Sequence, residues 1–209
     1  MGVQVPPGAP IINSFMQNRF HRKLSLPVSL IPFDYNITDE SILFKEIQMS
    51  NDHINSEVLD FFLSLGLEII TPRYFYSKPP HAYKLHIDVP IPNNQIIRLN
   101  WIFGGAGSNM IWYDLKPGCS TQIIRNSQDE RIFSISNNDC IEVARANLTG
   151  PNLVNVGIIH NLIPGTEARH CYSFFLRNKK FRPFENKNAL IRNRLEWDEA
   201  LSRFGDYIV

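Results

Sequence analysis

The sequence predicts a mainly β fold, a sandwich or barrel of short strands with one helix ahead of it and a helical tail behind. Three observations carry this. Between residues 67 and 177, short apolar-polar runs are broken by Pro79-Pro80, Pro90 to Asn94, Gly104 to Ser108, Lys116-Pro117-Gly118 and Pro164-Gly165. The same region lacks the regular crossover helices that a doubly wound sheet needs. The chain also holds 14 phenylalanines, 7 tyrosines and 14 prolines, which suits aromatic-rich strands joined by defined turns.

The elements follow in order. Residues 1–10 are rich in proline and glycine and read as an arm. Leu24 to Ile31 and Ile42 to Ile47 suit edge strands or irregular packing segments. Ile54, Val58, Phe61, Phe62 and Leu65 recur at helical spacing, so an amphipathic helix is expected over 53–65, stopped by Gly66. Strands are expected near 67–76, 82–89, 96–103, 110–115, 120–125, 130–136, 153–160 and 168–177. Leu190, Ile191, Leu195, Trp197, Leu201 and Phe204 set a helical rhythm over 188–204, placing one or two short helices on the outside. The organisation is a single domain, 1–209, with a β core over 67–177 and a helical extension over 178–209.

Composition excludes several classes. The formal net charge of +1 gives no long-range field for drawing in nucleic acid. Cys119, Cys140 and Cys171 are odd in number and have no metal-ligand spacing. They argue against a disulfide scaffold or a cysteine zinc cluster and for a reducing cytosol. No apolar run reaches the length of a membrane span, and Met1 to Pro10 lacks the basic-then-apolar pattern of a secretory leader. A cytoplasmic protein without a membrane partner is the expectation; the oligomeric state is open.

Chemistry concentrates in Lys84-Leu85-His86-Ile87-Asp88. On a strand, side chains alternate, so His86 and Asp88 share a face. A second imidazole, His160 in Val156-Gly157-Ile158-Ile159-His160, would complete a set of two histidines and one carboxylate. That set leaves coordination positions open and suits iron(II), manganese or zinc. A turn then leads to Arg169, Cys171, Ser173 and Phe175, which would bring Arg169 into the same cavity. If the alternation is off by one, His170 points inward instead. Arg98 and Asn100 share a strand face that can line the cavity, with Leu99, Trp101 and Phe103 on the other. Tyr113 follows a glycine-rich turn and is a candidate hydrogen-bond donor to a ligand, although an aromatic there is more often core.

Other signals weigh less. His21 lies between Arg19-Phe20 and Arg22-Lys23 and reads as solvated; His81 reads as a loop residue. Gly104 to Gly107 lacks the lysine and hydroxyl of a nucleotide loop and reads as a wide turn. Asn147-Leu148-Thr149 fits a glycan acceptor but reads as silent, and Lys179-Lys180-Phe181-Arg182 reads as a solvated basic face.

The order His86-x-Asp88, then His160, then Arg169 resembles the iron(II)- and 2-oxoglutarate-dependent oxygenases. The resemblance covers about residues 67 to 177. It implies a double-stranded β-helix, the cupin-like jelly roll, with iron(II) held by His86, Asp88 and His160. It implies that Arg169 takes the far carboxylate of 2-oxoglutarate, with Ser173, Asn100 and Tyr113 as further co-substrate contacts. Ser173 departs from the pattern, standing four residues from the arginine where family members often place a hydroxyl two residues away. The implied activity is a dioxygenase hydroxylating a small molecule or peptide. Two readings compete with it: a cupin-like metalloenzyme that ignores 2-oxoglutarate, and a non-catalytic jelly-roll binding or virion structural protein.

Overall fold

A computed structural model of the chain describes residues 19–33, 35, 37, 39–81, 83–88, 96–125, 131–179 and 194–209. The proline-rich arm, the 90–94 turn, Leu190 and Ile191, and the basic run beyond Lys179 lie outside these residues. In chain order the strands are β1 (His21–Lys23), β2 (Phe44–Gln48), β3 (Leu67–Ser77), β4 (Ile97–Gly104), β5 (Asn109–Leu115), β6 (Gln122–Arg125), β7 (Arg131–Ser134), β8 (Cys140–Ala146), β9 (Gly150–Asn155), β10 (Ile159–Ile163) and β11 (Arg169–Asn178). Helix α1 covers Ser56–Ser64 and α2 covers Trp197–Phe204.

The larger sheet is antiparallel, in the order β1–β9–β4–β11–β3–β2; the smaller runs β10–β5–β8, and β6 and β7 form a hairpin of their own. Residues 83–88 extend the smaller sheet beside β10. His86 and His160 exchange both backbone hydrogen bonds at 3.0 Å, and the Asp88 N–H donates to Val156 O at 3.2 Å. From β3 onward the chain therefore alternates: β3 in the large sheet, 83–88 in the small, β4 in the large, β5 and β8 in the small, then β9 large, β10 small and β11 large.

Period-two alternation divides the core. Ile102, Val154, Cys171 and Phe175 of the large sheet meet Met110 and Trp112 of the small one. The residues between them, including Leu99, Leu153 and Phe174, face the other way and pack with Val58 and Phe62 of α1 and Trp197 and Phe204 of α2. Both helices thus cover the outer face of the large sheet. A third cluster, around Leu85, Cys140 and Ile159, sits behind the small sheet.

Several expectations shift. Helix α1 begins at Ser56 rather than at residue 53, because Ile54 and Asn55 are extended and His53 ends a separate 3-10 turn. The single strand expected over 153–160 is two strands in different sheets. At the break, Asn155 Oδ1 accepts from the Gly157 N–H at 3.1 Å, while the Trp112 indole donates to Asn155 O at 3.2 Å. Strand β8 went unpredicted because it is an edge with exposed Ile141 and Val143 beside Glu142 and Arg145, so no alternation marks it. His21 is not on open surface; it is half-buried on β1 and stacks on Trp112 at 5.4 Å. Among the described residues, no helix is long and apolar enough to cross a membrane.

Candidate metal centre

Leu85 and Ile87 pack into the cluster behind the small sheet, which turns His86 and Asp88 toward the space between the sheets. His160 sits directly opposite His86 across the bridge. The potential ligand atoms of His86, Asp88 and His160 all lie within 4.8 Å of one another. Asp88 Oδ1 is 3.3 Å from His86 Nε2 and 3.7 Å from His160 Nε2.

Both imidazoles are oriented alike. Nδ1 of His86 lies 2.8 Å from the Lys84 carbonyl, and Nδ1 of His160 lies 2.8 Å from the Ile158 carbonyl. A carbonyl only accepts, so each Nδ1 carries the proton and each Nε2 is left with a lone pair. Two lone pairs and a carboxylate oxygen converging on one point repel unless a cation or a proton sits among them. Burial pulls both imidazoles toward neutrality. At His86 the hydrogen bond and charge of Asp88 outweigh it and raise the pKa. At His160 burial, joined by the charge of His86, drives the pKa down to about 4. Metal-free, the cluster holds an additional proton more readily at His86 than at His160. The donor set fits a divalent ion that replaces this proton.

Asp88 has a second partner. Burial opposes its ionisation, but Arg98, His86 and His160 hold its carboxyl well below the usual range. Arg98 Nε lies 2.8 Å from Asp88 Oδ2, a close ion pair, although the N–H is not directed along a hydrogen bond. With Oδ2 facing the guanidinium, Oδ1 is left for the histidine side. Arg98 Nη1 also donates to Ser173 Oγ at 3.2 Å, and Ser173 Oγ donates to Asn100 Oδ1 at 2.6 Å.

These residues open on a cavity of about 490 Å³. Arg169, Cys171, Ser173 and Phe175 line one wall along β11, which settles the alternation. His170 points away, its Nδ1 2.7 Å from the Tyr74 hydroxyl. Arg169 stands beside Cys171, whose thiol burial pushes up against the charge of Arg169. Gly105 is required beside it, at φ +71°, because a Cβ there would lie 2.8 Å from the Arg169 Cβ. Among the described residues, no carboxylate lies within ion-pair distance of Arg169.

The remaining candidates divide. Asn100 and Ser173 line the cavity, but Ser173 bonds Asn100 and Arg98 rather than Arg169. Tyr113 does not line it; alternation along β5 turns Met110 and Trp112 toward the space between the sheets and Tyr113 toward the rear cluster, where its hydroxyl donates to Asn161 Oδ1 at 3.2 Å. Three cavity residues escaped the sequence reading of the site. Arg98 was placed on the right face without its partner Asp88. Tyr83 carried no signal beyond its closeness to His86; burial pushes its hydroxyl up to about 12, against a hydrogen bond with Ser77. Arg194 comes from the tail, where no spacing connects it to the core.

No family model matches the chain, and no curated protein matches it. A solved structure, described as the X-ray structure of E. coli ycfD, superposes with a TM-score of 0.39 at 13% identity, over 91% of this chain and 49% of that one. The chain spans about half the length of that structure.

Proposed function

We propose that the protein is an iron(II)- and 2-oxoglutarate-dependent oxygenase built on a double-stranded β-helix. The observation that carries this is the convergence of two bare imidazole nitrogens and one carboxylate oxygen within 4.8 Å, inside a cavity that also holds Arg169. The alternation of the chain between the two sheets from β3 to β11 supports the jelly-roll reading.

Each residue then has a role. His86 and His160 supply neutral donors, held by backbone carbonyls. Asp88 supplies the anionic donor and is steered by Arg98. Arg169 offers a planar, two-pronged site for a carboxylate. Cys171 stands two residues from Arg169, where a hydroxyl is common in such enzymes, and lines the same wall of the cavity. Bound iron(II) with 2-oxoglutarate and dioxygen would supply the oxidising power for C–H hydroxylation. The protein's own work is to fix the donors, orient the co-substrate and exclude water with the aromatic wall of Phe75, Tyr83 and Phe175. The substrate is a small molecule or peptide, and the proposed compartment is the cytoplasm.

Anaerobic titration with ferrous iron and 2-oxoglutarate should produce a weak visible charge-transfer band. H86A should abolish the band with the metal, and R169A should weaken 2-oxoglutarate binding by about thirtyfold or more while leaving iron bound. A folded, iron-loaded protein that gives no band would refute the assignment.

A further inference from the structure

The cavity carries more positive charge than the metal centre uses. Its lining has five basic side chains against two carboxylates, an excess of three in a chain of formal net charge +1. Arg73 pairs with Glu46, and Arg98 pairs with Asp88 at 2.8 Å. Lys84, Arg169 and Arg194 are left without a carboxylate in ion-pair distance among the described residues. A divalent ion would add two charges and the dianionic co-substrate would remove two, so the excess persists in the loaded site.

Arg194 is the firmly held member of this group. Its backbone bridges Arg177, the next residue donates from Leu195 N to Leu176 O at 2.8 Å, and Leu195 is fully buried. Its guanidinium lies 3.6 Å from the centre of the Phe175 ring, and that of Arg98 lies 3.9 Å from the same centre. Two guanidiniums that close to one ring fit only on opposite faces, so Phe175 is sandwiched between them. One of these cations is paired with Asp88; the other feels Asp88 only at longer range, has no carboxylate within ion-pair distance among the described residues, and its Nε is buried without a hydrogen-bond partner. Along β11, Phe175 is six residues from Arg169, about 20 Å of extended strand. Arg194 and Arg169 therefore serve opposite ends of the cavity.

We infer that Arg194 is a specificity-determining residue that binds a carboxylate or phosphate group of the primary substrate, at the end of the cavity away from Arg169. Naming that anion a substrate rests on the oxygenase reading; the anion site itself does not. Burial and the nearby charge of Arg98 hold Arg194 down to about 10, a crowding that a bound anion relieves.

The test uses iron-loaded protein saturated with 2-oxoglutarate under anaerobic conditions, titrated calorimetrically with benzoate, phenyl phosphate and the neutral benzamide. At least one anion should bind about tenfold more tightly than benzamide, and which one does separates carboxylate from phosphate. R194Q should erase that preference and R194K should keep part of it, with circular dichroism and the charge-transfer band unchanged in both. If R194Q does not fold, R194K against wild type carries the comparison. Equal binding of benzamide, a preference that survives in the Arg194 variants, or one lost in R169Q instead would overturn the inference. An Arg194-dependent preference without a charge-transfer band would remove the oxygenase reading and leave the anion site standing.

Discussion

Arg98 and Asp88 show why single residues matter here. Each is costly to bury alone, and each is tolerable beside the other. In metal-free protein, R98M should cost about 3 kcal/mol in urea unfolding, because it strands a carboxylate against two histidines. The double variant R98M/D88N should recover much of the loss, and a cost confined to Arg98 would show that the pair is not the cause. His170 gives a pH signature on the opposite face. Burial holds its pKa below the ordinary value, so the folded state keeps it neutral where the unfolded chain takes up a proton. Its contribution is complete above about pH 6.5 and falls as pH drops through and below that value. H170N should flatten this acid-side decline relative to wild type, read as the difference in unfolding free energy between pH 7.5 and pH 5.5. The order His86, Asp88, His160 and Arg169 was legible because these residue types are few and the strand period assigns their faces. Tyr113 fell outside the site because the same period, with Trp112 facing inward, turns it to the rear of the small sheet.

At the scale of elements, the decisive feature is the passage from β9 to β10. It moves the chain from the large sheet to the small one and sets His160 opposite His86. Asn155 holds the passage: it is buried, accepts from Gly157 N at 3.1 Å and donates to Arg19 O at 3.1 Å. N155A leaves these backbone groups unsatisfied and should cost about 2 kcal/mol. It should also weaken metal binding more than a surface change of equal stability cost, measured by zinc competition against a chromogenic chelator. Unchanged metal affinity would mean that the passage does not position His160. The sequence carried no strong mark of this switch, since Val154, Val156, Ile158 and His160 fall at strand spacing with Asn155 and Gly157 between them and read as one strand. The edge strand β8 was invisible for a related reason: Ile141, Glu142 and Val143 are exposed in succession, so neither face is buried and the alternation that one-sided burial produces is absent.

For the whole molecule, a metal bound among the clustered lone pairs would be a stabilising event as well as a chemical one. A ligand at about 100 times its Kd adds about 2.7 kcal/mol, which for a chain of this size raises Tm by about 5–10 °C. Ferrous iron under anaerobic conditions, or zinc as its redox-inert stand-in, should give that increment in wild type and almost none in H160A. Equal increments in both would place the metal elsewhere. The sequence alone determined the β class, a helix close to Trp197–Phe204 and the identities of the candidate metal donors, because alternation, turn residues and rare side-chain types are local properties of the chain. Only the tertiary structure decided that β9 and β10 belong to different sheets, that Arg98 answers Asp88, and that Arg194 returns from the tail to stack on Phe175. Those are contacts between distant segments, fixed by packing between sheets, and no local spacing encodes them.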